Sequence, residues 1–207
     1  MRIFLVRHGE SIQGKKGLYQ SPNTGLYRTG IKQAEKLAAR FKGVEIDLII
    51  SSRYRRAMQS AQIVGRELDK KVVYTKLLNE SVPPSEVLGR VHDSDGVARI
   101  WKERMMHIKN PKWHYSDEEN LSDLKARALM ALKYIAGKKA GSVLAVTHGN
   151  MLKMLIGLAM LGEDAEAKQL LKIMRFLHVN NTGITECEID SKGNWQMLTF
   201  NDYTHLK

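Results

Sequence analysis

The sequence is short of the residues that mark secreted and membrane-bound proteins. Its 207 residues include one cysteine, Cys187, so no disulfide can form within the chain and an oxidising compartment is not indicated. The longest apolar stretch, MLIGLAML after Lys153, is well short of the roughly 20 residues that span a membrane. The N-terminal run IFLV ends at Arg7 and is too short for a secretory signal. We therefore expect a soluble, cytoplasmic protein with no membrane contact.

Several ligand-binding motifs are missing as well. The chain has no Walker-type glycine loop, so ATP is not indicated, and it has no paired cysteines or HExxH spacing, so we expect no metal. Aromatic residues make up only 7% of the chain, which is few for a protein that stacks single-stranded bases. Positive charge, by contrast, is in excess, with a net charge of +11. This charge favours an anionic ligand such as a phosphorylated small molecule, although a merely solvated basic surface would show the same total.

Short apolar runs alternate with helical patterns along the chain. The runs are nearly continuous in apolar residues, as in parallel strands that are buried on both faces. The predicted strands are 2–7, 46–51, 71–74 and 142–147, followed by a hairpin of 182–189 and 195–200 around DSKGN. The first predicted helix is capped by Thr29 and has one apolar face, formed by Ile31, Ala34, Leu37, Ala38 and Phe41. Four further helices are predicted over 54–68, 97–108, 121–135 and 151–161.

This alternation predicts an α/β fold. We expect residues 1–207 to form a single domain, a three-layer α/β/α sandwich around a mostly parallel sheet with an antiparallel edge. Residues 81–117 depart from the rhythm, since a turn-rich stretch, a short amphipathic helix and a second loop follow one another. An insertion of this length between core elements is typical of a lid or specificity segment, although it could also only extend the edge of the sheet.

Polar side chains follow each of the four predicted parallel strands. The sequence places Arg7 and His8 after the first strand, SSRYRR with Arg56 after the second, Glu80 shortly after the third, and His148, Gly149 and Asn150 after the fourth. Ligands of open α/β sheets bind beyond the carboxyl ends of the strands, so we expect these groups to meet.

The residue types at these strand ends suit phosphoryl transfer. Guanidinium groups bind phosphate oxygens, an unprotonated histidine can attack phosphorus, and a carboxylic acid can protonate the leaving oxygen. Each residue also has a purely structural interpretation, such as a hydrogen-bonded strand-end histidine or a solvated basic helix face. The coincidence of four strand ends favours the functional interpretation.

Four segments resemble the blocks of a known family. LVRHGES, SSRYRRAMQSAQIV, LLNE and VTHGNMLKML occur here in the order in which they occur in the histidine phosphatase superfamily, in its phosphoglycerate-mutase-like branch. EENLSDLKARALMAL and NNTGITECEID are similar to weaker patterns of that family. The blocks span nearly the whole chain.

The resemblance implies a set of roles. His8 would be the nucleophile that becomes phosphorylated, Arg7, Arg56 and His148 would complete the phosphate pocket, and Glu80 would act first as acid and then as base. No metal or organic cofactor is implied for hydrolysis. We expect the substrate-binding residues to be Arg7, Ser11, Gln13, Arg56, Gly149 and Asn150.

The chain departs from the family pattern in places. Where many relatives carry asparagine six residues after the nucleophile, this chain has Gly14. The extended segments of true glycerate mutases are missing, which favours a phosphatase that hydrolyses a phosphomonoester of a small anionic metabolite.

Two alternatives stay open. One is a mutase, and the other is a non-catalytic member of the fold that binds an anionic polymer through Lys15, Lys16 and the Arg53–Arg56 cluster. Nucleic acid is the less favoured partner, and no oligomeric state is indicated.

Overall fold

A computed structural model describes all residues, 1–207, and contains one six-stranded sheet in the order β3-β2-β4-β1-β5-β6. The strands are β1 (Arg2–Arg7), β2 (Leu48–Ser52), β3 (Val72–Thr75), β4 (Ser142–Thr147), β5 (Ile184–Ile189) and β6 (Trp195–Asp202). β1, β4, β2 and β3 pair in parallel, whereas β5 and β6 are antiparallel. The predicted mostly parallel sheet with an antiparallel edge is therefore confirmed.

Seven α-helices accompany the sheet. They are α1 (Ile12–Lys15), α2 (Arg28–Arg40), α3 (Arg55–Glu67), α4 (Asp95–Met106), α5 (Leu121–Ala136), α6 (Gly149–Leu161) and α7 (Ala167–Phe176). Most predicted helices agree with these bounds within about two residues. None of the seven is long and apolar enough to cross a membrane.

Successive residues of β1 face opposite layers. Ile3 and Leu5 pack with α5 and α6 in a cluster of 22 buried residues, whereas Phe4 and Val6 pack with α2 and α3 in a cluster of 13. Because side chains alternate across a strand, a strand that is covered on both faces has to be apolar throughout. The continuous apolar runs therefore produce the predicted three-layer sandwich.

The predicted start of β2 is wrong by two residues. The strand begins at Leu48 rather than at residue 46. Asp47 instead uses its side chain, because Oδ2 accepts hydrogen bonds from the backbone N–H groups of Gly141 (2.7 Å) and Ser142 (2.9 Å). The carboxylate thus fixes the first residue of β4 against the start of β2.

The predicted cap of α2 is also wrong. The helix begins at Arg28 after Tyr27, and Thr29 lies inside the first turn, where its hydroxyl donates to the Glu10 carboxylate. Ile31 is 40% exposed and does not belong to the buried face that was predicted for it. The loop after β1 therefore competes with the helix backbone for the threonine hydroxyl.

The C-terminal third contains two further differences. β5 begins at Ile184 rather than at 182, because Thr182 has a left-handed backbone (φ 56°) and donates its N–H to the Arg7 carbonyl. α7 was not predicted, although Leu170, Ile173 and Met174 have the three- to four-residue spacing of a helix face. The Thr182 hydrogen bond joins the start of β5 to the end of β1.

The single cysteine, Cys187, is buried within the sheet. It is 4% exposed within β5, and burial raises the pKa of its thiol to about 11. A thiol with this pKa is not a nucleophile at neutral pH.

Candidate active site

The four strand-end motifs meet at one cavity of about 690 Å³. Its lining includes Arg7, His8, Arg56 and Glu80, together with Gly149 and Asn150 at the start of α6. His148 does not line the cavity but lies directly beneath His8, with 4.9 Å between the ring centroids. The carboxyl edge of the parallel strands therefore brings the predicted groups together.

His8 is held in a single orientation. Its backbone N–H donates to the Thr147 carbonyl (2.9 Å), and its carbonyl accepts from Asn181 Nδ2 (2.8 Å). The ring nitrogen Nδ1 lies 2.7 Å from the Gly9 carbonyl oxygen. Because a carbonyl can only accept, Nδ1 carries the proton of the neutral ring. The lone pair is therefore on Nε2, which accepts from Arg56 Nε at 3.1 Å.

The surroundings of His8 keep its ring neutral. Burial, followed by the charges of Arg56 and Arg7, holds the pKa of His8 well below its ordinary value, and the Gly9 hydrogen bond only partly opposes this. The ring is 2% exposed, so water cannot stabilise an imidazolium there. At neutral pH the Nε2 lone pair is therefore available for attack on an electrophile.

Glycines 9 and 30 allow α2 to pack against the loop that carries His8. A Cβ atom on Gly9 would lie 2.4 Å from the Gly30 carbonyl oxygen, and one on Gly30 would lie 2.0 Å from the Glu10 carbonyl oxygen. Any other residue at either position would push the helix away from the end of β1. The close packing of α2 on this loop therefore requires the glycine of RHG and the glycine of RTG.

Two buried arginines are fixed by backbone carbonyls. Arg56 Nη1 donates to the Ser21 carbonyl (3.0 Å), and Arg7 Nη1 donates to the Val179 carbonyl (2.7 Å). Arg56 Nη2 has no protein partner, and Arg7 Nε is buried without one. Burial lowers the pKa of Arg56 to about 10, with Glu80 opposing, so both guanidinium groups stay charged at neutral pH. Their free N–H groups suit the oxygens of a phosphoryl group.

His148 is buried and takes the opposite tautomer from His8. Its Nε2 lies 2.7 Å from Ser52 Oγ, and the Ser52 hydroxyl donates to Asn79 Oδ1 (2.9 Å). Ser52 therefore accepts from His148, so Nε2 carries the proton and the buried Nδ1 is left without a partner. Burial, then the charge of Arg56, holds the pKa of His148 well below its ordinary value.

Glu80 occupies the N-terminus of α6. Its carboxyl oxygens accept from the backbone N–H groups of Ser81 (2.9 Å), Asn150 (3.1 Å) and Met151 (3.1 Å). The partly positive end of the helix and three fixed donors therefore hold the carboxyl group at the cavity wall.

The loop that carries Glu80 has its own support. Arg127 of α5 donates to the carbonyls of Leu77 (3.1 Å), Asn79 (2.7 Å) and Glu80 (3.2 Å). The same guanidinium pairs with the Glu119 carboxylate at 2.6 Å. No role was expected for Arg127 from the sequence, although it lies within one of the weaker family-like patterns.

Ser11 and Gln13, predicted to bind substrate, do not line the cavity. Ser11 caps the short helix α1, and its hydroxyl donates to Gln20 Oε1 at 2.6 Å. Gln13 Oε1 accepts from the Ser21 N–H (2.8 Å) and from the Thr24 hydroxyl. Both side chains instead contact the 20–24 loop, so their predicted contact with substrate has no support in the cavity lining.

Gln20 lines the cavity and was missed by the sequence analysis. A Cβ atom on Gly14 would lie 2.7 Å from Ser11 Oγ and 3.1 Å from Gln20 Nε2. The space beside Gly14 is thus filled by the Ser11 hydroxyl and the Gln20 amide. The glycine at position 14 was the feature of the sequence from which a neighbouring side chain in this space could have been predicted.

The 81–117 segment and the 17–20 loop form another wall of the cavity. Tyr19 accepts a hydrogen bond from Trp101 Nε1, and the Arg104 guanidinium lies over the Trp101 ring at 4.2 Å from its centroid. Arg104 also pairs with the buried Glu118 carboxylate at 3.2 Å. This insertion wall is aromatic and its charges are paired. It differs in this from the strand-end wall, which contains Arg7, His8 and Arg56.

Comparison with known proteins agrees with this geometry. Residues 3–203 match the model of the histidine phosphatase superfamily, branch 1. The chain is 32% identical to a probable phosphatase of Schizosaccharomyces pombe, an alignment that covers 100% of this chain and 96% of that protein. It is 25% identical to a probable phosphoglycerate mutase of Photorhabdus laumondii subsp. laumondii, over 100% and 95% of the two chains.

A solved structure shows that the fold is shared. The crystal structure of a phosphoserine phosphatase mutant from Entamoeba histolytica in complex with phosphoserine superposes with a TM-score of 0.80 and 23% identity, over 100% of this chain and 99% of that one. With the family match across nearly every residue, it follows that the chain belongs to the histidine phosphatase superfamily, branch 1, and is an enzyme of the phosphatase class.

Proposed function

We propose that this protein hydrolyses a phosphomonoester of a small anionic metabolite through a phosphohistidine on His8. One observation carries the proposal, the fixed Nδ1–H tautomer of His8, which leaves the Nε2 lone pair at the cavity beside Arg56. A neutral imidazole nitrogen with its other nitrogen tied to a carbonyl is a competent nucleophile for phosphorus.

In the first step Nε2 of His8 attacks phosphorus, and the P–O bond to the leaving group breaks. The leaving oxygen takes a proton from the Glu80 carboxyl group, so a neutral alcohol departs. Arg56 Nε, which donates to Nε2 in the resting site, transfers its hydrogen bond to a phosphoryl oxygen as the substrate enters. The His8 Nδ1–H stays hydrogen-bonded to the Gly9 carbonyl throughout.

In the second step water attacks the phosphohistidine. The Glu80 carboxylate takes a proton from the water, the P–N bond breaks, and inorganic phosphate leaves with the His8 lone pair restored. Arg7 and Arg56 stabilise the charge on the phosphoryl oxygens during both transfers, whereas His148, whose Nε2–H is held by Ser52, supports the His8 ring from outside the cavity. These cationic and hydrogen-bonding groups supply the stabilisation needed for hydrolysis, so we propose that no metal is required.

The insertion at 81–117 acts in this proposal as the specificity segment of the single domain. It contributes aromatic and paired charged side chains to the cavity, and none of the groups assigned to the chemistry comes from it. We therefore expect it to select the alcohol part of the substrate.

The experiment compares wild type, His8→Ala and His114→Ala on 4-nitrophenyl phosphate in EDTA, with trapping of labelled phosphoenzyme at alkaline pH. His114 lies outside the cavity and serves as the matched control. We expect His8→Ala to lose at least about 10³-fold of kcat and all base-stable label, and His114→Ala to keep both. Equal turnover by wild type and His8→Ala would overturn the proposal.

A mutase is the second candidate, favoured by the likeness to the probable phosphoglycerate mutase of Photorhabdus laumondii subsp. laumondii. Such an enzyme would return the phosphoryl group to another hydroxyl and would need a bisphosphorylated primer. Isomerisation of a phosphoglycerate faster than phosphate release would favour it.

A further inference from the structure

One wall of the cavity carries cations without an acidic partner. Lys153 of α6 and Arg175 of α7 both line the cavity that contains His8. Neither forms an ion pair, and the one side-chain contact of the Arg175 guanidinium is with Met105 Sδ at 3.7 Å. Arg175 therefore reaches from α7 across to α4 of the 81–117 segment.

The other charged groups around the cavity are balanced. Arg104 pairs with the Glu118 carboxylate (3.2 Å), and Glu119 pairs with Arg127 (2.6 Å). Glu80 accepts three backbone N–H groups at the start of α6. The excess positive charge of the cavity beyond the phosphate-binding arginines therefore belongs to α6 and α7.

α6 packs on α7, and each of the two helices contributes one of these cations to the cavity lining. The helices are joined by a short connection, and a Cβ atom on Gly157 would lie 3.1 Å from Leu170 Cδ2 and 3.6 Å from Ile173 Cγ2. The Lys153 and Arg175 side chains therefore line the same cavity from two helices that pack on each other.

Lys153 is held in an unfavourable environment for a free ammonium group. Burial, followed by the charge of Arg7, lowers the pKa of Lys153, and Glu80 only partly opposes this. An ammonium group that is half-buried and unpaired becomes more favourable when an anion lies beside it.

We infer that Lys153 and Arg175 form a second anion-binding subsite, so that the substrate is a phosphomonoester with a second acidic group, a carboxylate or another phosphate, remote from the scissile phosphate. The inference rests on the proposed phosphatase function and names its substrate class. A volume of about 690 Å³ leaves room for such a molecule beyond the phosphoryl group.

The test compares substrates that differ only in the second acidic group. One series consists of ω-phosphooxy alkanoates with two to five carbons, another of terminal alkanediol bisphosphates, and the reference series of simple alkyl monophosphates. We expect wild type to show a kcat/KM at least about tenfold higher for one chain length of an acidic series than for its alkyl reference. The series that shows the preference identifies the carboxylate or the phosphate as the second group.

Lys153→Met and Arg175→Met keep most of the side-chain volume and remove the charge. Each should reduce this acidic-to-alkyl preference by about tenfold, mainly through a higher KM for the acidic substrate. Lys172→Met is the matched control, because Lys172 is an exposed residue of α7 outside the cavity, and its preference should equal that of wild type.

Two outcomes separate the inference from the proposed function. Equal preference in wild type and in both cavity variants, or no preference in wild type, would overturn the second subsite while His8-dependent hydrolysis still stands. Loss of any His8 dependence with 4-nitrophenyl phosphate would overturn the proposed function itself. If Lys153→Met fails to fold, the Arg175→Met variant with its side chain exposed on α7 gives the same decision.

Discussion

The strand-end wall and the insertion wall of the cavity are built in different ways. In the strand-end wall, His8, Arg7 and Arg56 are tied to backbone carbonyls of sequence-distant or loop residues. In the insertion wall, Trp101 and Arg104 are held mainly by other side chains. A backbone carbonyl has no rotamers of its own, so the strand-end wall is suited to fixed chemistry. Side chains that hold one another can be exchanged together, which suits a surface that selects substrates.

The largest loss of activity in this comparison is expected at Arg56, which contacts the nucleophile His8 and is proposed to bind the phosphoryl group. Arg56→Lys removes the donor at His8 Nε2 and the planar geometry of the guanidinium, because an ammonium group is a single point donor. We expect kcat/KM for 4-nitrophenyl phosphate to fall by about 10²- to 10³-fold. Arg55→Lys, the same change at the exposed neighbouring residue, should leave the rate within about twofold. Similar losses in the two variants would contradict the assignment.

A smaller loss of activity is expected at Arg127, which holds the loop that carries Glu80. Arg127→Met removes three hydrogen bonds to the carbonyls of residues 77–80, so the carboxyl group is misplaced for proton transfer. We expect kcat for an alkyl phosphate to fall by about 10²-fold. The loss should be smaller for 4-nitrophenyl phosphate, whose leaving group hardly needs a proton. Equal losses on both substrates would indicate general destabilisation instead of a positioning role.

The two buried histidines should also appear in the pH dependence of stability. The folded-state pKa values of His8 and His148 lie below those of an unfolded chain, so the unfolded state binds more protons below about pH 6.5. The free energy of unfolding should therefore fall with falling pH, with a slope that averages about 0.8 kcal/mol per pH unit for each histidine between about pH 7 and pH 5.5. Urea unfolding between pH 7 and pH 5.5 measures this slope, above the range where carboxyl groups titrate.

His148→Gln provides the comparison for this slope. Glutamine can keep the donor to Ser52 but does not titrate, so the slope should fall by about half. A slope that stays unchanged in this variant would contradict the buried neutral state of His148.

The smallest effect is expected in the insertion wall. Trp101→Phe removes the hydrogen bond to the Tyr19 hydroxyl but keeps an aromatic surface for Arg104. We expect KM to rise by only about two- to threefold, with kcat unchanged and a loss of about 1 kcal/mol in unfolding free energy. Steady-state kinetics and urea titration check this prediction. A fall in kcat comparable to that of Arg56→Lys would contradict the assignment of the chemistry to the strand-end wall and of substrate selection to the insertion wall.

The sequence allowed most of the fold to be predicted. Continuous apolar runs and helical spacing identified every strand and all but one of the longer helices, because burial on both faces requires those patterns. The errors occurred where side chains replaced backbone pairing, as at Asp47, or where a threonine bonded a neighbouring loop, as at Thr29. α7 was missed, and Arg175, which we infer to bind the second acidic group, was missed with it.

The candidate site was predictable in its strand-end residues and much less so elsewhere. Arg7, His8, Arg56, Glu80 and His148 lie next to strand ends, so topology alone brings them together. Ser11 and Gln13 lie outside the cavity lining, and Gln20 and Arg127 were not predicted. Their positions depend on loop conformations that distant residues decide, and no local spacing records such contacts.

By itself, the sequence determined the layered α/β architecture and the edge of the sheet at which a phosphate-handling site lies, since alternating burial and strand ends are local properties of the chain. Only the tertiary structure decided which nitrogen of His8 is free, which residues fix Glu80, and which cations in the cavity lack a partner. Those properties depend on hydrogen bonds and charges between residues that are far apart in the chain, and they exist only once the layers have packed.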